Sequence, residues 1–499
     1  MTSDPTKFLD TGIPGLDHVL GGGLFQRGLL LVFGPPGAGK TTLVFQMAFH
    51  AASAGRPVVY IATLAEPASR LIEHVGTMSF WDARQIGKRI FLESIYPLVR
   101  RSLADLTSAL IETARSHGAK LLILDGLTTI RDLHPGSAEH RYFVHEVSAA
   151  LAALGCALVV TTAEVPDMHG STPPEFTMSD AVVELGHPDR HRRQVRALRV
   201  WKNRGAPCVL GSHALRITAE GLTVYPRFET HPLPAAAPPP AERLSSGQSE
   251  LDAMMAGGLP GGSITIAAGA PGTGKTLILL HYLVEGARQG QRGLLVSFRE
   301  PYRDLVAKAR SFGLDLDGPV KAGLITVLRR LPADIVADEV LAQVLDELGR
   351  TGAARLCADG LSELDRMIAD EQRRCGVLAC MAEHVRARGV TALLTWETGQ
   401  VVGPELDFAG SPLEVLAENV LLFRYVEFQG VLKRILSVLK MRGTAHDHSI
   451  RQYEIGGEGI RVLAPEESAE GLLTGIARLA SERRVKRRGT GPGRRGEAT

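Results

Sequence analysis

With 499 residues, 44% of them hydrophobic and 22% charged, the chain is too long for one ordinary core and too apolar for disorder, so two or three soluble globular domains are expected. A net charge of +2 gives no overall pull toward nucleic acid, and no apolar run approaches the length of a bilayer span. Five scattered cysteines, never in a C-x-x-C pair, argue against disulfides and zinc; with an N-terminus that lacks a basic-then-apolar leader, they fit a reducing, cytoplasmic setting.

The first strong element is the apolar run 29–33, read as a buried strand. It runs into Gly34-Pro35-Pro36-Gly37-Ala38-Gly39-Lys40-Thr41, and from Thr42 onward TLVFQMAFHAA has helical spacing. Strand, glycine-rich loop and helix in that order make a phosphate-binding P-loop. Backbone N–H groups over Gly37, Ala38 and Gly39 can face phosphate oxygens, helped by the helix N-terminus. Lys40 is placed for the β and γ phosphates, and the Thr41 hydroxyl for Mg²⁺.

Further strands are expected near 57–62, 89–93, 120–124 and 157–162, alternating with longer helical segments. That alternation predicts an α/β domain whose mainly parallel sheet carries helices on both faces. The strand near 57–62 leads to Glu66, a candidate for orienting an attacking water. A first-turn carboxylate of the next helix is the equal alternative. LLILDG ends a strand on Asp125, suited to the water shell of Mg²⁺. AVVELGHPDRHRRQVRALRVWKNRG reads as an antiparallel hairpin added to the sheet, and its end sets Lys202 and Arg204 two residues apart on one face. Paired cations can neutralise a transferring γ-phosphoryl group, a role worth roughly 10³–10⁵ in rate for an arginine finger.

Residues 226–243, PRFETHPLPAAAPPPAER, have a linker's Pro/Ala composition. Beyond them the pattern returns: Gly12 matches Gly247, Asp17 matches Asp252 and Lys40 matches Lys275, always 235 apart. A period that long duplicates a whole domain. The domains are therefore expected at 1–227 and 243–465, with a linker at 228–242 and a helical segment plus basic disordered tail at 466–499. In the second copy strands fall near 263–268, 293–298, 324–328, 355–358 and 390–396. The second P-loop spans residues 269–276, with Gly272, Thr273, Gly274, Lys275, Thr276 and then Leu277 against the phosphates. Asp359 stands 84 residues after Lys275, as Asp125 stands 85 after Lys40, and Glu300 matches Glu66. A second hairpin, NVLLFRYVEFQGVLKRILSVLKMRG, carries Lys440 and Arg442. The histidines form no metal-binding set.

Together these motifs resemble the KaiC family, the two-domain branch of the RecA-like P-loop ATPases, from TGIPGLDHVLGGG through HDHSIRQYEI. The resemblance implies two tandem RecA-like domains, each binding ATP with Mg²⁺ at a subunit interface of a homohexameric double ring. It implies that Lys202/Arg204 and Lys440/Arg442 act on the neighbour's ATP, that Arg434 faces phosphate in the second ring, and that Phe312 lies near adenine. Two departures stand out. The family carries adjacent glutamates at the water-activating strand end, the first being the base; here the pairs are Ala65-Glu66 and Arg299-Glu300, so hydrolysis is expected to be slow unless the second glutamate has taken over. Clock-type members phosphorylate a Ser-Thr pair, where this chain has Glu414-Val415.

The expected function is an ATP-binding hexameric switch or signalling platform acting on an unidentified protein partner. The competing readings are a Ser/Thr autokinase of the clock type and a RecA-like DNA-dependent ATPase. Against the latter, residues 163–180 and 397–419 hold several carboxylates and no Lys or Arg, so loops there would repel a nucleic-acid strand. Neither a specific nucleic acid nor a membrane is expected as partner.

Overall fold

The computed structural model describes residues 7–63, 73, 75–94, 102–135, 137–163, 173–187, 189–190, 193–236, 238, 240, 242–331, 336–368, 370–398, 416–428, 430–464, 469–470 and 476–479. The chain divides into two compact units, Met1–His231 and Pro232–Thr499.

In the first unit the sheet strands are β1 (Leu29–Phe33), β2 (Val58–Ala62), β3 (Ile90–Ser94), β4 (Leu121–Asp125), β5 (Ala157–Thr162), β6 (Ala181–Gly186), β7 (Ala197–Asn203), β8 (Ser212–Thr218) and β9 (Gly221–Tyr225), in spatial order β3-β2-β4-β5-β1-β6-β7-β8-β9. Pairing is parallel from β3 through β6 and antiparallel beyond it. The run LLLVF is uninterrupted because both faces of β1 are covered. Leu30 and Val32 join a core with Phe45 and Phe49, whereas Leu29, Leu31 and Phe33 join another with Leu110 and Leu151.

The second unit repeats this plan with β10 (Ile264–Gly269), β11 (Gly293–Ser297), β12 (Ile325–Arg329), β13 (Arg355–Asp359), β14 (Thr391–Glu397), β15 (Asn419–Phe428), β16 (Val431–Met441), β17 (Arg451–Gly456) and β18 (Gly459–Val462). Their order is β12-β11-β13-β14-β10-β15-β16-β17-β18, the same as in the first unit. Both P-loops thus leave the central strand of a nine-strand path.

The expected hairpins are present, but each sheet continues through two further strands that the sequence reading did not include. β8 turns into β9 through Ala219-Glu220, and β17 into β18 through Gly457-Glu458, each a two-residue turn between paired ends. These strands are short and carry charges such as Arg216 and Glu454, which obscures their alternation. They pack over the P-loops. A Cβ on Gly39 would lie 2.6 Å from Ile217 Cδ1 of β8, and one on Gly274 would lie 2.7 Å from Ile455 Cδ1 of β17. With φ at 104° and 90°, those two positions exclude a side chain on backbone grounds as well.

Two boundaries differ from expectation. Phe228, placed in the linker by its Pro-rich flanks, is fully buried in a short 3₁₀ turn and closes the first unit. The stretch read as helical after 466 instead carries the strands Ala469–Glu470 and Ile476–Leu479, which pair antiparallel. Ile476 and Ala477 also pair with Glu427 and Phe428. β15 runs on past its last partner on β10, at Phe423, leaving an edge whose backbone groups take up this segment. Residues 480–499, read as a disordered tail, lie outside the described residues. Among the described residues no helix is long and apolar enough to cross a membrane.

His281, buried in the helix Lys275–Arg288 that follows the second P-loop, is pushed down to about 4 by burial, aided by nearby Arg288. Its ordinary value is 6.5, so the folded state resists the protonation that the unfolded chain accepts. The stabilising contribution is present above that value and is lost as pH falls toward 4. The unfolding free energy of the full chain should therefore fall across this window, by up to about 3 kcal/mol for this site. His281→Gln should flatten the drop, as read by denaturant titrations at stepped pH.

Candidate functional site

In the first unit the helix α1 (Lys40–Ser53) begins at Lys40, directly after the positive-φ Gly39, and brings Thr41 and Thr42 into its first turn. Lys40 Nζ donates to the carbonyls of Gly34 and Pro35 at 2.6 and 3.0 Å, curling back over the loop. Partial burial lowers its pKa, opposed by the Asp125 carboxylate. Thr41 Oγ1 donates to Asp125 at 3.2 Å. The same carboxylate accepts from Tyr60 at 2.6 Å and from Thr161. Burial, and then the Asp125 charge, raises the Tyr60 pKa well above its usual value, so Tyr60 stays a donor.

The second unit reproduces this from α2 (Lys275–Arg288). Lys275 Nζ donates to Gly269 and Ala270 at 2.8 and 2.7 Å. Thr276 and Thr395 each donate to Asp359 at 2.9 Å. Burial raises the Asp359 pKa against those two hydrogen bonds. A hydroxyl and a carboxylate meeting beside a phosphate-loop lysine are hard oxygen donors, and they fit a hydrated Mg²⁺ at the Thr41/Asp125 and Thr276/Asp359 pairs. The cleft here has a volume of about 420 Å³. Gly272, Gly274, Leu277, Phe312 and Arg434 line it with Lys275. Thr273 and Ala38 are buried within their loops.

Strand-end residues behave unequally. Glu66 lies outside the described residues. Glu300 lines the second cleft, but its carboxylate is paired with Lys308 and its carbonyl accepts from Ser297 at 2.8 Å. Arg299 projects into the same cleft between Glu363 and Glu397.

The K-x-R pairs stand elsewhere. Asn203 pairs with Ala181, which in turn pairs with Leu30, so Lys202 and Arg204 sit where β1 begins while the P-loop leaves its other end. In the second unit Met441 pairs with Asn419 and Asn419 with Thr265, which gives the same displacement. About 10 Å of strand therefore separates each cation pair from the loop of its own unit. Lys202 Nζ donates to the Thr177 carbonyl at 2.8 Å, Arg204 Nη2 to the same oxygen at 3.1 Å, and Lys440 Nζ to Ala417 at 2.9 Å.

Sequence reasoning missed Tyr60, Thr161 and Thr395 around the strand-end aspartates. Aligning VVTTAE with LLTWET at the repeat spacing would have exposed the shared threonine. It also missed two tyrosines that brace the second P-loop: Tyr425 donates to Gly272 O at 2.7 Å and Tyr453 to Thr273 O at 2.5 Å. One such bond is worth about 1 kcal/mol, so Tyr453→Phe should weaken nucleotide binding at the second site about fivefold, measured by calorimetric titration.

A family model described as "ATPase: KaiC" matches this chain twice, over residues 9–229 and 244–467. Similar proteins include "Circadian clock oscillator protein KaiC 1" of Synechocystis sp., 29% identical over 93% of this chain and 91% of that protein. "Circadian clock oscillator protein KaiC" of Picosynechococcus sp. is 28% identical with the same two coverages. "Circadian clock protein KaiC3" of Synechocystis sp. is 26% identical over 97% of both chains.

Proposed function

The chain belongs to the KaiC ATPase family through both of its halves, and from that premise we propose that it binds MgATP at two P-loops per polypeptide and works as a nucleotide-dependent homo-oligomeric switch, a hexamer by analogy with the family, with slow hydrolysis. Such a switch would present nucleotide state to a protein partner in the cytoplasm. The observation that carries the reading is the split site: Lys40, Thr41 and Asp125 converge at one end of the sheet, and Lys202 and Arg204 stand at the other. A copy of the chain packed against the P-loop end could supply the missing cations. Nucleotide binding at such a joint stabilises assembly by mass action.

Within each site Lys40 or Lys275 would bind the β and γ phosphates, and Thr41 with Asp125, or Thr276 with Asp359, would hold Mg²⁺. When bound, that ion would polarise the γ-phosphoryl oxygens. Phe312 would lie against the base and Arg434 toward the phosphates. Glu300, tied to Lys308, must leave that ion pair before it could orient water, which supports slow turnover at the second site.

Sizing and ATP-turnover measurements on the wild type beside Lys40→Ala and Lys275→Ala test this reading. Lys40→Ala should impair assembly and Lys275→Ala should mostly spare it. Equal oligomer content in both variants and in nucleotide-free protein would refute the assignment of assembly to the first site. A monomer at high concentration with MgATP would refute the switch.

A further inference from the structure

The second cleft contains a cation that the phosphate loop does not account for. Arg299, just past the end of β11, lies in the cleft lined by Lys275, Thr276 and Asp359. Its guanidinium is held as a fork. Nη1 and Nη2 donate to the two oxygens of Glu397 at 2.5 and 2.8 Å, while Nε and Nη2 donate to Glu363 at 3.0 and 2.5 Å. Glu397 ends β14 opposite Gly269, the residue from which the P-loop departs. Glu363 lies on the short helix Leu361–Met367 that follows Asp359, and it also accepts from Arg366 at 2.8 Å. The carboxylates do not bury the cation, because the Arg299 side chain is 46% exposed.

We propose that Arg299 is a terminal-phosphate contact made within one chain, and that it makes the second site select nucleoside triphosphates over diphosphates. The proposal rests on the second cleft being a nucleotide site, as argued above. Glu363 and Glu397 beside the phosphate position would by themselves repel a triphosphate, and the guanidinium between them offsets that repulsion. A γ-phosphate matches the planar fork as a carboxylate does and carries more charge, so it competes with Glu397 for the exposed Nη1 and Nη2. A diphosphate ends short of the fork and leaves it on the carboxylates. Alanine at position 65 offers no equivalent, so the selectivity is confined to the second copy.

The test uses the full chain carrying Lys40→Ala, which silences the first site; dispersal of the oligomer is immaterial to a contact made in cis. Calorimetric titration with ATPγS and with ADP, each with Mg²⁺, gives the ratio of affinities. Arg299→Gln should weaken ATPγS about tenfold while moving ADP less than about twofold, so that ADP binding reports an intact site. A chain with Arg299→Gln, Glu363→Gln and Glu397→Gln separates contact from clamp. Under the proposal it stays without triphosphate preference, because the cation itself is missing. Recovery of the preference in that chain, an unchanged ratio in Arg299→Gln, or equal weakening of both ligands would overturn the proposal and leave the nucleotide site standing. A nucleotide stoichiometry of the wild type left unchanged by Lys275→Ala, which should spare assembly, would overturn the second nucleotide site, and this inference with it.

Discussion

Mixing a Lys202→Ala/Arg204→Ala chain with a Lys40→Ala chain should restore ATP turnover that neither shows alone. The experiment is set in a Lys275→Ala background so that only first-copy sites contribute. Each variant by itself lacks one half of every site: the first has P-loops without cations, the second cations without P-loops. The register of β1, β6 and β7 keeps the two halves at opposite ends of the same sheet, so a single chain cannot join them. Alone, the cation variant should lose about 10³-fold in turnover, the scale of an arginine finger. Equal, random co-assembly would rebuild at most about a quarter of the joints from two intact halves, and fewer to the extent that Lys40→Ala weakens assembly, with the cation variant's intact P-loops supplying nucleotide at each mixed joint. Turnover that stays at the level of the separate variants, or a cation variant as active as its parent, would show that Lys202 and Arg204 serve only as caps on the Thr177 carbonyl.

Arg355→Ala should cost the second unit about 3–5 kcal/mol, enough to threaten its fold. Arg355 is fully buried at the start of β13 with no carboxylate among its acceptors. Its guanidinium donates to the carbonyls of Ser245 and Tyr282 at 2.7 Å each, to Gln291 at 2.7 Å and to Gln289 at 3.3 Å, and it lies 4.4 Å from the Tyr282 ring centroid. Truncation would leave those acceptors buried without donors and open a cavity. The arginine fits only because Gly286 faces it: a Cβ there would approach its Cδ to 2.4 Å. The first copy solves the same contact with Leu121 and Ala51. Gly286→Ala and Arg355→Leu should each destabilise, and the double variant should cost less than their combined effects, by about 1 kcal/mol or more. Denaturation of the full chain followed through Trp396, with Trp81 and Trp201 changed to Phe, reads this directly. Strict additivity would show that the two positions do not share a contact.

The doubled plan was open to reading from the amino-acid order alone. P-loops, strand-end aspartates and K-x-R pairs are local patterns: a loop that cradles phosphate needs its glycines, lysine and hydroxyl consecutive in the chain, so the chemistry is written contiguously. The parallel strands were equally plain, since a strand covered on both faces must be apolar throughout, as Leu29–Phe33 is. Contacts between residues distant in sequence were not legible. Nothing in SHALRIT or RQYEIG announces that Ile217 and Ile455 will close over a P-loop glycine, or that Tyr453 will hold Thr273. The partners of Arg299 lie 64 and 98 residues away on other elements, so the residue that the family resemblance marks as standing in place of a base emerges in three dimensions as a held cation. Short-range order specifies which groups a P-loop carries. Sheet register and packing decide what those groups face, because they bring distant carboxylates, carbonyls and rings within reach of a few ångströms.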